Sequence, residues 1–320
     1  MNEQLHRFGA DARLCGILHT PAGNSSRTVV IFITAGLLHK PGPFRLYVEL
    51  SRTLAAAGTP ALRFDLSGIG ESGRCTSGES AEQAAVTDVC EAIDWLNAEF
   101  GFRRFILAGL CSGAEVAHRA AVKDERVCGM IAMDGYIVRT PAYYWWHYLP
   151  RVFSLSKWLD FAGGWLHRLL ARTALANGIA PEDEALAFWE GPGPDRSQLA
   201  AEFTSLCDRR VRQLQIFSGG SGDCSYQRQF HDAFHDVDFN GLVDVRFLAE
   251  TDHVYVLHAD RLRLVQLIAD WISEHFSVFA VPERARTSAR QAGLPEEPAF
   301  PSSLSNVPHS IKLAGRRNVE

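Results

Sequence analysis

The residues most able to do chemistry sit in Gly109-Leu110-Cys111-Ser112-Gly113. An apolar run, Phe105 to Ala108, precedes this pentapeptide and a helical stretch follows from Ala114 to about Val122, so the local order is strand, sharp turn, helix. Glycines two before and two after one nucleophilic side chain have the spacing of the Gly-x-Ser-x-Gly nucleophile elbow. In that turn the nucleophile occupies strained backbone, and a side chain at either flank would collide with strand or helix. Cys111 holds the central position; counted from Ser112 the flanks would be Leu110 and Ala114. A buried thiol at a strand end would also fit the pentapeptide taken alone.

A thiol becomes a useful nucleophile as a thiolate or beside a base. The chain order expected with an elbow is nucleophile, acid, histidine. His253 follows a strand-like segment, Val243 to Leu248, and precedes the last helical pattern. Asp223 follows the strand-like run Arg212 to Phe217 in a glycine-rich loop, Ser218 to Asp223, and is the favoured acid; Asp134, at the end of the run Val127 to Met133, is the alternative. Cys111, Asp223 and His253 then stand beyond three strands at one edge of a parallel sheet, where ligands bind. Other polar residues have plainer roles. Asp252 shapes the loop of the base, Asp65 fixes the loop Ser67 to Gly73, and His118 is structural. His231 and His235 lie four apart on a helix, a spacing that can hold zinc, but no third ligand accompanies them, and neither metal nor cofactor is expected.

The elements needed to carry these residues follow from periodicity. Residues 4 to 20 read as an opening hairpin around Gly9. Val29 to Ile33 is a continuous apolar run, as in a strand covered on both faces. Leu46, Leu50 and Leu54 mark a helix closed by Gly58; Pro60 to Leu66 is a strand; Val86, Val89, Ile93 and Leu96 face one side of a helix ending by Gly101. After the elbow and the strand to Met133 the alternation stops, then resumes at Arg212 and closes with a helix bearing Leu264, Leu267, Ile268, Trp271 and Ile272. This alternation predicts an α/β fold with a mostly parallel sheet covered by helices on both faces. Residues 1–136 and 209–279 form its two parts. Residues 137–208 form a helical insertion, holding five of the seven tryptophans. Such an aromatic lid suits an acyl or aryl pocket, with Tyr144, Trp145 and Trp146 as candidate substrate contacts. Residues 280–320, rich in Pro, Ser, Arg and Ala, read as a disordered tail.

Composition narrows the partners. The net charge of -5 with no basic stripe argues against nucleic acid. No apolar run approaches the roughly 20 residues of a membrane span. The seven scattered cysteines, without Cys-x-x-Cys pairs, and the absence of a leader pattern point to a reducing cytoplasm.

The assembled pattern resembles an α/β-hydrolase-fold enzyme with cysteine in the place of serine. The Gly-x-Cys-x-Gly elbow is similar to that of dienelactone hydrolases. Thr34-Ala35-Gly36-Leu37, Gly42 to Tyr47, Arg63 to Ser72 and Asp252-His253 most resemble hydrolases associated with exosortase A systems. The resemblance implies an oxyanion hole from the backbone N–H groups of Ser112 and Leu37, which leaves the Ser112 hydroxyl a bystander. His39, by its place in the oxyanion loop, is a further candidate substrate contact. It implies an esterase or thioesterase working through an acyl-Cys111 thioester on a small or carrier-bound acyl substrate. The alternatives are an acyltransferase or cyclase passing the acyl group to an amine or alcohol, and a non-catalytic binding protein on the same fold.

Overall fold

The computed structural model describes residues 1–23, 26–75, 78–152 and 193–276. These fall in one compact unit, Met1–Ser277; a second unit, Val278–Glu320, lies outside the described residues, as do the expected tail and the middle of the expected insertion with Trp158, Trp165 and Trp189.

Strands β1 (Asn2–Phe8) and β2 (Leu14–Thr20) form the opening antiparallel hairpin, in register from Asn2 opposite Thr20 to Phe8 opposite Leu14. Six more strands follow: β3 (Thr28–Ile33), β4 (Ala61–Asp65), β5 (Arg104–Leu110), β6 (Val127–Met133), β7 (Arg212–Ser218) and β8 (Val243–Leu248). They form one eight-stranded sheet in the order β1-β2-β4-β3-β5-β6-β7-β8. The pairings from β4 through β8 are parallel, and β2 joins β4 antiparallel. The helices among the described residues are α1 (Leu46–Ala56), α2 (Ala81–Phe100), α3 (Ser112–Lys123), α4 (Pro141–Val152), α5 (Arg196–Asp208), α6 (Gln229–Ala233) and α7 (His258–Phe276). The helix expected over residues 226–235 is thus limited to five residues. No described helix is long and apolar enough to cross a membrane.

The continuous apolar strands are explained by two cores. Along β3, Val29, Ile31 and Ile33 face one core, where α2, α3 and α5 supply Val89, Ile93, Val116 and Phe203. Val30 and Phe32 face the other, with Leu50 and Leu54 of α1 and Ile268 and Trp271 of α7. Because successive strand side chains point to opposite faces, a strand covered on both sides is apolar at every position. Helix α2 starts in a capping box, the Ser80 side chain accepting from the Gln83 N–H and the Gln83 side chain accepting from the Ser80 N–H, and ends at Gly101 with φ 72°.

Register brings the chemistry together. Leu110 pairs with Met133, Met133 with Ile216, and Ser218 with Leu248. The residues just beyond β5, β6 and β8 therefore emerge side by side at the carboxyl edge of the sheet.

Candidate active site

Cys111 stands between β5 and α3 with φ 54° and ψ -126°, a conformation that costs free energy for a residue with a side chain. Its N–H donates to the Met133 carbonyl (2.8 Å), and its carbonyl accepts from Ala114 (2.8 Å) and Glu115 (3.2 Å). The flanking glycines are sterically obligatory. A Cβ on Gly109 would lie 2.2 Å from the Gly113 carbonyl carbon, and one on Gly113 would lie 2.5 Å from the Ile33 carbonyl oxygen. Tyr47 ties the same region together: its hydroxyl donates to the Ile33 carbonyl (3.0 Å) and accepts from the Leu110 N–H (3.1 Å).

The carboxylate at the histidine is Asp134. His253 Nδ1 donates to Asp134 Oδ2 (2.9 Å), while Asp134 also accepts from the Ser218 N–H and hydroxyl (2.6 Å each). The Asp134 side chain is 3% exposed. Asp223, the carboxylate favoured from the sequence, is 54% exposed and receives a hydrogen bond from Arg139 (2.8 Å). The reason lies in the loop after β7. Asp223 comes five residues beyond Ser218, past a 3₁₀ turn at Gly219–Ser221 that carries it to the surface. Asp134 follows β6 directly. The glycines that suggested a turn for an acid serve the base instead. A Cβ on Gly219 would meet the Ala249 carbonyl oxygen at 2.0 Å, and one on Gly220 would lie 2.7 Å from the His253 nitrogen. They allow the two loops to pack backbone against backbone.

With Nδ1 engaged by Asp134, Nε2 is left for Cys111. The Asp134 hydrogen bond first, then the Cys111 hydrogen bond, outweigh desolvation and raise the His253 pKa from its ordinary value to about 10. Hydrogen bonding to the charged form favours that form. The arrangement thus suits a proton shared between sulfur and imidazole, with the imidazolium neutralised by a buried carboxylate.

The loop after β3 lies on the other side of Cys111. Here Ser112 is more than the bystander expected: its hydroxyl accepts from the Gly36 N–H at 2.9 Å, pinning this loop to the start of α3. Among the described residues no hydrogen bond uses the N–H of Leu37 or Ser112. Lys40 reinforces the same loop, its ammonium donating to Asp65 Oδ2 (2.7 Å). Asp65 also accepts from the Glu71 N–H (3.3 Å), so it fixes the glycine-rich loop as expected. Lys40 had no motif to mark it. His39 is exposed on this loop, as is Leu37 at 62%.

A cavity of about 400 Å³ opens beside Cys111, Asp134 and His253, lined further by Glu115, Tyr136 and Phe217. Tyr144, Trp145 and Trp146 of α4 are exposed and are not among its lining residues. Tyr143, buried on the same helix, donates its hydroxyl to the Gly222 carbonyl (2.7 Å). His118 is buried and bonds Glu202 (2.8 Å), the structural role expected of it. Asp252 accepts from the Val254 (3.0 Å) and Val256 (2.9 Å) N–H groups and shapes the loop of the base. Glu115 carries no sequence motif; its spacing of one helical turn from Cys111 was the available signal.

The sheet order, the elbow and the carboxylate–histidine pair define an α/β hydrolase. The family model Hydrolase_4 (serine aminopeptidase, S33) matches residues 30–189, half of the chain, and the chain belongs to that family. The match includes Cys111 and Asp134 and ends before His253. Among solved structures, an esterase from Pyrococcus furiosus is 13% identical, with 86% of this chain and 92% of that chain covered at a TM-score of 0.57. The α/β hydrolase GrgF from Penicillium is 15% identical, covering 82% and 94% at a TM-score of 0.54. A lidless serine α/β hydrolase from Xanthomonas campestris is 13% identical, covering 87% and 96% at 0.52. No curated protein sequence matches significantly.

Proposed function

We propose that this hydrolase cleaves acyl esters or thioesters through an acyl-Cys111 intermediate, with His253 as base and acid and Asp134 as the carboxylate that orients it. The observation that carries this reading is the placement of Cys111, on a strained elbow, against a histidine already hydrogen-bonded to a buried carboxylate. In the first half-reaction the Cys111 proton moves to His253 Nε2 and sulfur bonds to the acyl carbon. The carbonyl electrons move to oxygen, where the N–H groups of Ser112 and Leu37 stabilise them. Collapse expels the alcohol or thiol, which takes the proton from His253. In the second, water gives a proton to His253 and adds to the thioester; the acid leaves and the thiolate–imidazolium pair returns.

Sulfur in the nucleophile position favours a second acceptor as well, because a thioester is more open to amines than an ester is. Transfer or cyclisation onto an amine is therefore the second reading. Within the family we place the chain among cysteine-nucleophile members, on the elbow and loop segments that resemble dienelactone hydrolases and exosortase A-associated hydrolases. The insertion expected over residues 137–208 is assigned to a cap that begins at α4; α5, with Leu199, Phe203 and Leu206 in the first core, is assigned to the helical layer on the sheet instead.

Treatment with p-nitrophenyl acetate followed by intact-mass measurement tests the mechanism. An acetyl adduct that vanishes in Cys111→Ala is expected; no adduct between pH 6 and 9, or one that persists in Cys111→Ala, would sink it. Added primary amines decide between water and amine as acceptor, since transfer leaves an amide in place of free acid.

A further inference from the structure

The loop after β3 must hold one N–H group, that of Leu37, in a fixed direction, yet Leu37 supplies no anchor of its own. Its side chain is exposed, as is that of Leu38, and among the described residues no hydrogen bond uses its N–H. Leu37 sits at the centre of a turn closed by the Leu38 N–H on the Ala35 carbonyl (2.9 Å), with Gly36 at φ 49°. The direction of its amide is therefore set by the two flanks of the turn. On one side the Ser112 hydroxyl accepts from the Gly36 N–H (2.9 Å). On the other stands Lys40, buried and bonded twice to one carboxylate: its N–H donates to Asp65 Oδ1 (2.5 Å) and its ammonium to Asp65 Oδ2 (2.7 Å). Glu71, at the surface, pairs with the same ammonium. Asp65 is held in turn. It ends β4, its Oδ2 accepts from the Glu71 N–H (3.3 Å), and its carbonyl accepts from the Ser72 hydroxyl (2.6 Å).

A buried ion pair is a poor way to stabilise a fold. Desolvation of both ions offsets most of their attraction, and apolar residues of similar volume often do as well. What a doubly bonded pair fixes is position, and here the position is that of a loop whose two leucines face solvent. We infer that Lys40 is a positioning residue for the oxyanion hole: clamped on Asp65, it aims the Leu37 N–H at the oxygen that becomes negative, without touching the substrate itself. Such donors are effective when preorganised, because an amide free to turn must be reoriented during the reaction. This inference rests on Cys111 acting as the nucleophile with Leu37 as an oxyanion donor.

The experiment reads two reactions of Cys111 in Lys40→Met. Acylation by p-nitrophenyl acetate builds charge on the carbonyl oxygen. Alkylation by iodoacetamide forms a sulfur–carbon bond as iodide leaves, and builds no oxyanion. Acylation is followed by nitrophenolate release over a range of ester concentrations, alkylation by the mass of the Cys111 peptide. At saturating ester Lys40→Met is expected to acylate about ten- to a hundredfold more slowly, less than the loss of a whole donor. Its KM and its alkylation rate should each stay within about threefold of wild type. If Lys40→Met lacks a cooperative thermal transition, Lys40→Met/Asp65→Asn, which leaves no buried charge unpaired, carries the same comparison. Acylation at the wild-type rate, a loss confined to KM, or acylation and alkylation falling together would overturn the assignment of Lys40 and leave the Cys111 mechanism standing. Absence of a Cys111 adduct in the wild type would overturn both.

Discussion

At Asp134 and Asp223 two carboxylates with similar sequence credentials separate once their surroundings are known. Asp134 is buried, accepts from His253, and is held by both polar groups of Ser218. Asp223 is exposed and ion-paired. Replacing the oriented carboxylate by an amide leaves the histidine in the wrong tautomer, an effect worth up to about 10⁴ in a well-studied triad. Asp134→Asn is therefore expected to lower kcat/KM for p-nitrophenyl acetate by about 10³-fold or more, and Asp223→Asn by less than tenfold. The reverse ranking in steady-state assays would return the role to Asp223. The proton balance makes a second prediction. His253 has a folded pKa of about 10, above the ordinary value of 6.5. The charged form is thus favoured by folding, so its stabilisation is complete below about pH 6.5 and is lost as pH rises through about 10. The melting temperature of the wild type should fall more between pH 7 and 10.5 than that of His253→Gln. Parallel curves would show that His253 carries no such linkage.

Elements, unlike single contacts, were largely legible in the chain. The run Val29 to Ile33, the Leu46-Leu50-Leu54 spacing and the glycines around Cys111 each reflect a local constraint: two-sided burial, one buried helix face, a turn without room for Cβ. Asp134 was less visible because its role depends on β6 and β7 pairing so that Met133 lies opposite Ile216, a contact between residues far apart in sequence. Gly219 and Gly220 were visible but ambiguous, since a glycine marks close approach without saying what approaches. Lys40 and Glu115 had no motif at all, and Tyr47 lay in a segment marked by its resemblance alone, with nothing there to indicate its contacts. Tyr47 nonetheless joins the ends of β3 and β5 beside the elbow. Tyr47→Phe removes the hydroxyl between the buried Ile33 carbonyl and Leu110 N–H, and is expected to cost about 1–3 kcal/mol of stability by denaturant titration. Ser112→Ala frees the Gly36 N–H and with it the loop bearing Leu37. A loss in kcat of roughly tenfold is expected, about the effect of weakening one oxyanion donor, with KM changed less. An unaltered kcat would separate the Leu37 loop from oxyanion binding.

At the scale of the whole molecule, the sheet, both cores and every residue of the candidate site belong to the unit Met1–Ser277. Helix α7 closes the second core: Leu264, Ile268, Trp271 and Ile272 are buried there, and Phe276 packs so closely on β6 that a Cβ on Gly129 would lie 2.7 Å from its ring. Trp271 adds a hydrogen bond from its indole N–H to Asp244 of β8 (2.9 Å), tying α7 to the edge of the sheet. The C-terminal end of this unit is thereby held by side chains of α7. A chain ending after Ser277 keeps all of these contacts, and is expected to show the wild-type melting temperature within about 2 °C and unchanged acylation of Cys111. A chain ending at Asp270 loses Trp271, Ile272 and Phe276 together. Large apolar side chains removed from a core cost about 3–5 kcal/mol each, comparable in sum to the whole stability of a typical domain. This shorter chain should therefore lack a cooperative thermal transition. If instead it melts cooperatively, α7 is dispensable to the second core; if the Ser277 truncation loses acylation, the site extends beyond this unit.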